Sequence, residues 1–280
     1  MNLSYTTLSV PDKTLKEAVE IARYWGLEGI ELRGKENTHI SPQSPWGYVQ
    51  EAKKLLHASG LVIPCLTAYT MFFQQTRELS LARAEELLPM LRLAADLGAS
   101  MVRTFMGPVP AGMNRATAED IATEGLNHAA ESARDLPVKI VIETHDSVKN
   151  GAALVSLLAR VPEKVGVLLD IIHPWDTGES IENTLELIGK RIYHVHIKDI
   201  FETLNNGRVY SPIGKGRLEV RRQVETMLAW GYKGFFSLEW EKSVPGSRGA
   251  GFKEQLESFV LFMRSIQKKT EENLNHADYF

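Results

Sequence analysis

The feature that most constrains the fold is an eightfold alternation of short β-rich runs with longer segments of helical period. The β-rich runs cover residues 3–8, 29–32, 62–69, 101–105, 138–143, 165–170, 192–196 and 235–239. The amphipathic segments cover residues 14–24, 46–58, 80–96, 116–134, 150–160, 180–188, 218–229 and 252–267. Each segment is long enough to cross over between parallel strands. The pattern predicts an α/β fold, a single-domain (β/α)8 TIM barrel.

Two features favour a closed barrel over a doubly wound open sheet. A glycine ends a helical segment just before a strand, a position whose left-handed backbone favours glycine, at Gly26, Gly60, Gly98, Gly189 and Gly231. No Gly-x-Gly-x-x-Gly motif follows the first strand, and polar strand ends come from many strands rather than from one crevice. We expect the barrel to cover residues 1–268, and the polar residues 269–280 to form a disordered end or a packing arm.

Composition and charge narrow the classes of partner. The 280 residues are 44% hydrophobic, and a net charge of -3 with interleaved signs gives no basic face for nucleic acid. We find neither a leader-like start nor an apolar run long enough for a bilayer, so we expect a cytoplasmic protein that does not bind membranes. The single cysteine, Cys65, lies in an apolar run and is predicted to be a buried core thiol.

The chemistry is predicted at the ends of four consecutive strands. The segments IVIETH, VGVLLDIIH, YHVHIKD and FFSLEWE are apolar until their last residues and then become ionisable. In a barrel these ends converge on the catalytic face. Buried carboxylates there need a counter-charge, and no Arg or Lys close in sequence is an obvious partner for each. We therefore expect one divalent cation, Mn²⁺, Mg²⁺ or Co²⁺ with Zn²⁺ tolerated, bound by three carboxylates and either His194 or His196.

Six segments carry a resemblance to a known family. They are GLEGIEL at 26–32, IETH at 142–145, LLDIIHP at 168–174, HVHIKD at 194–199, PIGKGRL at 212–218 and SLEWE at 237–241. In this order the chain resembles the xylose isomerase-like superfamily of sugar (phosphate) isomerases and epimerases, which includes inosose dehydratase and hydroxypyruvate isomerase. The resemblance implies the metal ligands Glu143, Asp170, His196 and Glu239. It leaves His194 behind the site or in the core.

Further residues are candidates for substrate contact. The resemblance makes His173 a partner of a substrate hydroxyl, with a loop-orienting role as the alternative. His145 is expected to face the cavity, either supporting a ligand or as a plain loop residue. Lys198 follows His196 on the same side of the strand and would bind an anionic or carbonyl oxygen, or else form an ion pair with Asp199 or Glu239.

Two further candidates have equally simple structural alternatives. Glu31 ends the second strand and is predicted to contact substrate or to stand behind the metal ligands, but a salt bridge to Arg33 or Arg103 would also explain it. Arg217 lies in the Gly-Lys-Gly-Arg loop after the seventh strand, where barrels often bind phosphate or carboxylate. A solvated loop would explain it as well. Three aromatic residues are expected near the pocket wall, Tyr69, Trp175 and Trp240.

The resemblance implies an isomerase or epimerase acting on a small sugar, sugar phosphate or polyol ketone. Glu143 and Glu239 would be the catalytic acid and base around a cis-enediolate. A dehydratase of the inosose or dehydroshikimate type shares the opening proton abstraction and is the nearest alternative. The ketohexose 3-epimerase branch has an Arg six residues after the metal His, where this chain has Glu202. This departure argues against a free ketohexose as the substrate.

A metal-dependent endonuclease is a weaker alternative from another class. Abasic-site nucleases share the barrel but use additional histidines from early strands, and here the third and fourth strands end in LTAYT and VRTFMG. Only His39 lies in an early loop. We therefore expect a small-molecule carbohydrate partner and no nucleic acid, with a homo-oligomer left open.

Overall fold

The computed structural model describes residues 1–205, 207–241 and 248–277, with side chains up to residue 269. Eight parallel strands form the main sheet in the order β1, β10, β7, β6, β5, β4, β3, β2. Their bounds are β1 Asn2–Tyr5, β2 Leu32–Arg33, β3 Leu66–Met71, β4 Met101–Phe105, β5 Lys139–Glu143, β6 Val165–Asp170, β7 Ile192–Ile197 and β10 Phe235–Leu238. The predicted fold is confirmed as a single-domain (β/α)8 barrel.

The barrel closes between its first two strands. The backbone N–H of Glu31 donates to the carbonyl of Tyr5 over 2.9 Å, and the N–H of Thr7 donates to the carbonyl of Glu31 over 2.9 Å. A parallel bridge between Thr6 and Glu31 completes the junction. Glu31 is therefore fixed by its backbone at the seam of the barrel.

Helices connect the strands at the predicted places. Their bounds are α1 Leu15–Tyr24, α2 Trp46–Ser59, α3 Arg77–Leu97, α4 Arg115–Ser132, α5 Gly151–Leu158, α6 Ile172–Asp176, α7 Ile181–Ile188, α8 Val220–Trp230 and α9 Phe252–Ala277. Helix α1 begins at a capping box in which Thr14 and Glu17 satisfy each other's backbone N–H groups. Within the described part of the chain, no helix combines the length and the apolar character needed to cross a bilayer.

Some predicted element bounds differ from the observed ones. Strand β3 begins at Leu66 rather than residue 62, because Pro64 has no N–H to donate to a sheet. Gly189 has φ -52° and not the expected left-handed backbone. A Cβ at Gly189 would lie 2.7 Å from Trp230 Nε1, so glycine is required there for close packing. Helix α9 continues past residue 268 to Ala277, and residues 278–280 lie outside the described part.

An additional small sheet stands after β7. Strands β8 Ile200–Leu204 and β9 Gly207–Tyr210 form an antiparallel hairpin, and β11 Arg248–Gly249 pairs with β9 in parallel. Sequence analysis did not predict this sheet, although the sequence contains Asn-Gly at 206–207, a common turn signal. The hairpin adds material to the connection between β7 and α8.

The apolar core lies between the strands and the outer helices. Inside the barrel a separate small cluster contains Cys65, Met101, Val141 and Leu168. The prediction for Cys65 is confirmed, because the thiol is completely buried. Burial raises its pKa well above the usual value, which disfavours the reactive thiolate.

The last helix is expected to contribute strongly to stability through its buried face. Phe259 on α9 is completely buried, whereas Leu261 on the same helix is 64% exposed. Replacing Phe259 by Ala should lower the free energy of unfolding by about 3–5 kcal/mol through the cavity it leaves. Leu261→Ala should change it by no more than about 0.5 kcal/mol. Urea unfolding followed by circular dichroism would measure both, and equal losses would contradict the described packing.

Candidate metal centre and active site

Glu143 is the last residue of β5 and is buried beside an arginine. The Nε of Arg103, from β4, lies 3.1 Å from Glu143 Oε2, and both side chains are almost completely buried. Arg103 also donates from Nη1 to the carbonyl of Ala68 over 2.9 Å and lies 4.0 Å from the centre of the Phe105 ring. Burial lowers the pKa of Arg103, but the Glu143 charge more than offsets this, so the guanidinium stays charged.

His194 and His196 of β7 both point at the carboxylate of Glu31. His194 Nε2 lies 2.8 Å from one Glu31 oxygen, and His196 Nε2 lies 3.0 Å from the other. All three side chains are completely buried. Burial would raise the pKa of Glu31, but His196 and His194 lower it far below its usual value. Glu31 therefore binds two imidazoles and does not line the substrate cavity.

The other ring nitrogen of His196 faces the catalytic side. Its Nδ1 lies 3.2 Å from Glu239 Oε2 and 3.7 Å from Glu143 Oε1. Burial lowers the pKa of His196, but Glu239 and Glu31 raise it well above its usual value, so both ring nitrogens can donate to the carboxylates around them. Because Nε2 faces Glu31, Nδ1 is the nitrogen that would be available to a bound ion. His196 therefore satisfies the geometry expected of the imidazole ligand.

Lys198 links the two remaining predicted ligands. Its Nζ lies 2.8 Å from Asp170 Oδ2 and 2.5 Å from Glu239 Oε2. Burial would raise the pKa of Asp170, yet Lys198 and His173 lower it. Burial would also raise the pKa of Glu239, but His196 and Lys198 lower it well below its usual value. Arg103 and Lys198, from strands next to those of their partners, supply counter-charges that closeness in sequence does not show. The ion pair of Lys198 with Glu239, given as an alternative in the sequence analysis, is present.

The four predicted ligands fit a divalent cation. Within the described residues, Glu143 Oε2, Asp170 Oδ2 and His196 Nδ1 are buried and take part in no hydrogen bond of good geometry, although charged groups lie close. Ligand atoms of Glu143, His196 and Glu239 lie within 4.8 Å of one another, as do those of Glu143, Asp170 and His173. Neighbouring ligands stand about 3 Å apart around an ion with bonds of about 2.1 Å. Carboxylate and imidazole donors suit Mn²⁺, Mg²⁺, Co²⁺ or Zn²⁺.

Two predicted substrate residues lie together at the mouth. His173 Nε2 is 3.3 Å from Asp170 Oδ2, and its ring packs edge-on against His145 with centroids 4.8 Å apart. His145 Nδ1 lies 3.0 Å from Asp146 Oδ1. Burial is the main cause that lowers the pKa of His173, which favours a neutral imidazole. Burial also lowers the pKa of His145, but Asp146 and Glu143 raise it above its usual value overall.

A cavity of about 490 Å³ opens above these groups. Glu143, His145, Asp170, His173, Lys198 and Glu239 line it, together with residues that sequence analysis did not assign to the site, Arg33, Arg103, Phe105, Arg208 and Glu241. Part of the wall comes from the tip of the β8–β9 hairpin. Of the three aromatics expected near the pocket, Tyr69 lines this cavity, whereas Trp175 and Trp240 do not.

Arg217 does not line the cavity. Its guanidinium lies 5.9 Å from the centre of the Trp175 ring. The surrounding loop is held by Asp199, whose carboxylate accepts backbone N–H groups of Gly214 over 3.0 Å and Gly216 over 2.9 Å. A Cβ at Gly216 would lie 2.2 Å from Asp199 Oδ1, so glycine is needed there. These loop amides are already engaged and do not face an external anion.

The match to a protein family agrees with this geometry. A model described as xylose isomerase-like TIM barrel matches residues 19–265 of the chain. The chain belongs to this family. Fructoselysine 3-epimerase of Escherichia coli O157:H7 is 22% identical over 236 residues, covering 80% of this chain and 85% of that protein.

Two solved structures share the fold. The probable 3-DHS dehydratase AsbF of Bacillus anthracis has a TM-score of 0.76 at 17% identity, covering 95% of this chain and 99% of that one. The IOLI protein with a bound zinc atom also has a TM-score of 0.76 at 17% identity, covering 95% and 96%. The relatives of this xylose isomerase-like chain therefore include sugar epimerases and a dehydratase, and one structure holds zinc.

Glu31 is expected to control metal affinity through His196 rather than through substrate contact. In Glu31→Gln an amide would replace the carboxylate that accepts from both imidazoles, so Mn²⁺ affinity should fall by roughly 10- to 100-fold. Isothermal titration calorimetry would measure it. Glu36→Gln, at an exposed position nearby, is the matched control and should bind Mn²⁺ like the wild type. Unchanged affinity in folded Glu31→Gln would refute the orienting role.

Proposed function

We propose that this protein is a divalent-metal-dependent isomerase or epimerase of a small sugar, sugar phosphate or polyol ketone. One observation carries the proposal. Glu143 from β5 and Glu239, directly after β10, line the same cavity and approach the same imidazole nitrogen, with Asp170 and Lys198 beside them. Strands β6 and β7 stand between β5 and β10 in the sheet, so the two carboxylates reach a substrate from different sides.

Glu143, Asp170, His196 and Glu239 would hold the ion. When bound there, a divalent cation acts as a Lewis acid on a carbonyl and its neighbouring hydroxyl and acidifies the C–H between them. The pKa of Glu239 lies well below its usual value because His196 and Lys198 outweigh its burial, so this carboxylate is ionised. Arg103 provides the counter-charge for Glu143.

The two glutamates would transfer protons on either side of a cis-enediolate. One carboxylate removes the proton from carbon, and the other delivers a solvent-derived proton to the adjacent carbon or to the opposite face. The first outcome is isomerisation and the second is epimerisation. His173, His145 and Lys198, which line the cavity, would orient the substrate hydroxyl and carbonyl oxygens through hydrogen bonds.

Relatives support this class of reaction without fixing the substrate. The similarity to fructoselysine 3-epimerase extends over most of both chains. Among the described residues, the groups with metal-ligand spacing include no histidine from β3 or β4. His39 lines a different cavity, beside the starts of α1 and α2. The endonuclease hypothesis therefore gains no support from the site.

A dehydratase is the second candidate, favoured by one specific observation. Glu241 lines the cavity, and burial raises its pKa above its usual value, which favours the protonated carboxyl more than at an exposed glutamate. Tyr210 Oη lies 3.1 Å from Glu241 Oε2. A protonated carboxyl is the group needed to help a β-hydroxyl leave as water. The fold shared with the probable 3-DHS dehydratase AsbF is compatible with this alternative.

Metal binding tests the proposed centre directly. Purified protein incubated with Mn²⁺ should hold about one ion per chain by elemental analysis, because the two groups of candidate ligand atoms share Glu143. Asp170→Ala and His196→Ala should not retain stoichiometric Mn²⁺, while circular dichroism should show an intact barrel. Asp96→Ala, at an exposed position of α3, is the control. Wild-type occupancy in both site variants would mean that the ion binds elsewhere.

The proton-transfer role is tested by replacing each glutamate with its amide. Glu143→Gln and Glu239→Gln keep an oxygen donor but lose the base, so turnover should fall by roughly 10²- to 10⁴-fold with only a modest loss of metal. A panel of ketoses and inososes in D₂O, followed by NMR, would report deuterium entry next to the carbonyl. Loss of water from the product would identify a dehydratase instead.

Glu202→Gln is the matched control for this experiment, because Glu202 is exposed on β8 and does not line the cavity. It should exchange deuterium at the wild-type rate. If both cavity variants also exchange at that rate with metal bound, the enediolate mechanism is wrong even where the metal site is right.

A further inference from the structure

Arg33 differs from the other cations that line the cavity. It is the last residue of β2, and its Nε donates to Tyr69 Oη over 2.8 Å. Among the described side chains, those of residues 1–205, 207–241 and 248–269, no carboxylate lies within 4.0 Å of its guanidinium, and neither Nη takes part in a hydrogen bond. The two Nη groups therefore have no partner among these residues, and Arg33 lines the cavity.

Each of the other cavity cations has a carboxylate partner. Arg103 pairs with Glu143, and Lys198 pairs with Asp170 and Glu239. Arg208, on the hairpin, pairs with Asp176 over 2.8 Å. The contrast indicates that the charge of Arg33 is not needed to balance a carboxylate of the described fold.

Arg33 stands at a defined place relative to the proposed centre. The Tyr69 ring lies between two guanidiniums, with Arg33 5.5 Å and Arg103 5.0 Å from its centroid. Arg103 in turn contacts Glu143. Arg33 and the Arg103–Glu143 pair thus contact the same aromatic ring and line the same cavity.

The charge of the whole cavity favours an anion at that place. Among the described lining residues, the cations are Arg33, Arg103, Lys198 and Arg208, and the carboxylates are Glu143, Asp170, Glu239 and Glu241. These charges balance by themselves, so a bound divalent ion would leave an excess of positive charge. A substrate with an anionic group would reduce this excess.

We propose that Arg33, oriented by Tyr69, forms a subsite for an anionic group of the substrate, a phosphate or a carboxylate. The proposal rests on the proposed function, since it takes the substrate to be a small keto sugar or polyol. Guanidinium donors match the paired oxygens of either anion and stay charged at all relevant pH values. The cavity volume of about 490 Å³ is within the range of small-molecule sites.

Three ketohexoses that differ only at carbon 6 provide the probes: D-fructose, D-fructose 6-phosphate and D-fructuronate. Isothermal titration calorimetry on Mn²⁺-loaded protein would give the three dissociation constants. We expect one or both anionic sugars to bind at least about tenfold more tightly than fructose, in line with charge-assisted hydrogen bonds. The tighter of the two identifies phosphate or carboxylate as the group recognised.

The variants assign the preference to a residue. Arg33→Gln should abolish the preference and leave fructose affinity within about twofold, whereas Arg33→Lys should restore part of it because the charge returns without the fork. Lys35→Gln is the matched control. The Lys35 ammonium lies 5.4 Å from the centre of the same Tyr69 ring, but Lys35 does not line the cavity. This control should retain the full preference.

Three results would overturn the subsite: no preference for either anionic sugar, a preference that persists in Arg33→Gln, or an equal loss in Lys35→Gln. Deuterium exchange by wild type, measured on the same preparation, separates the two proposals. Normal exchange without an anionic preference refutes the subsite alone. An Arg33-dependent preference without exchange supports the subsite and refutes the isomerase chemistry.

Discussion

The site depends first on the contact between one buried carboxylate and two imidazoles. Glu31 binds His194 and His196 through their Nε2 atoms, with no exposure to solvent. A buried carboxylate without partners would be strongly destabilising, and each imidazole reduces that penalty. The backbone of the same residue forms the hydrogen bonds that close the barrel between β1 and β2. Glu31 therefore closes the barrel through its backbone and orients His196 through its side chain.

Two buried cations lie near this contact. Arg103 and Lys198 reach the ligand carboxylates from inside the barrel, and both remain cationic although burial lowers their pKa. Their presence means that the carboxylate cluster is partly neutralised by the chain itself. A divalent ion bound there would add chemistry at a site whose geometry is already held by ion pairs, which is the preorganisation that electrostatic catalysis requires.

The residues of the site whose positions follow from strand periodicity could be predicted from the sequence. The four strand-end ligands could be placed because apolar runs end in Glu143, Asp170, His196 and Glu239 on parallel strands that share one face. Arg103 was considered only as a partner of Glu31. Its pairing with Glu143 spans neighbouring strands whose register the sequence does not display. Periodicity alone could have flagged Arg103, because a charge within a buried strand needs a partner inside the barrel.

Other parts depended on contacts that no local pattern encodes. The Gly-Lys-Gly-Arg loop resembles an anion-binding loop in sequence. Its backbone N–H groups at Gly214 and Gly216 already donate to the Asp199 carboxylate. The β8–β9 hairpin was not predicted because sequence analysis assigned no regular element between residues 196 and 218. Asn206 lies outside the described residues.

The β8–β9 hairpin forms part of the cavity wall, whereas the proposed metal ligands come from the barrel. The proposed ligands stand on or directly after strands of the closed barrel, whereas Thr203, Leu204 and Arg208 reach the cavity from a small sheet with its own hydrogen bonds. A change of length or sequence in that sheet would therefore reshape the cavity wall and leave the strands of the closed barrel in place. The shape of the cavity can in this way vary independently of the frame that carries its charged groups.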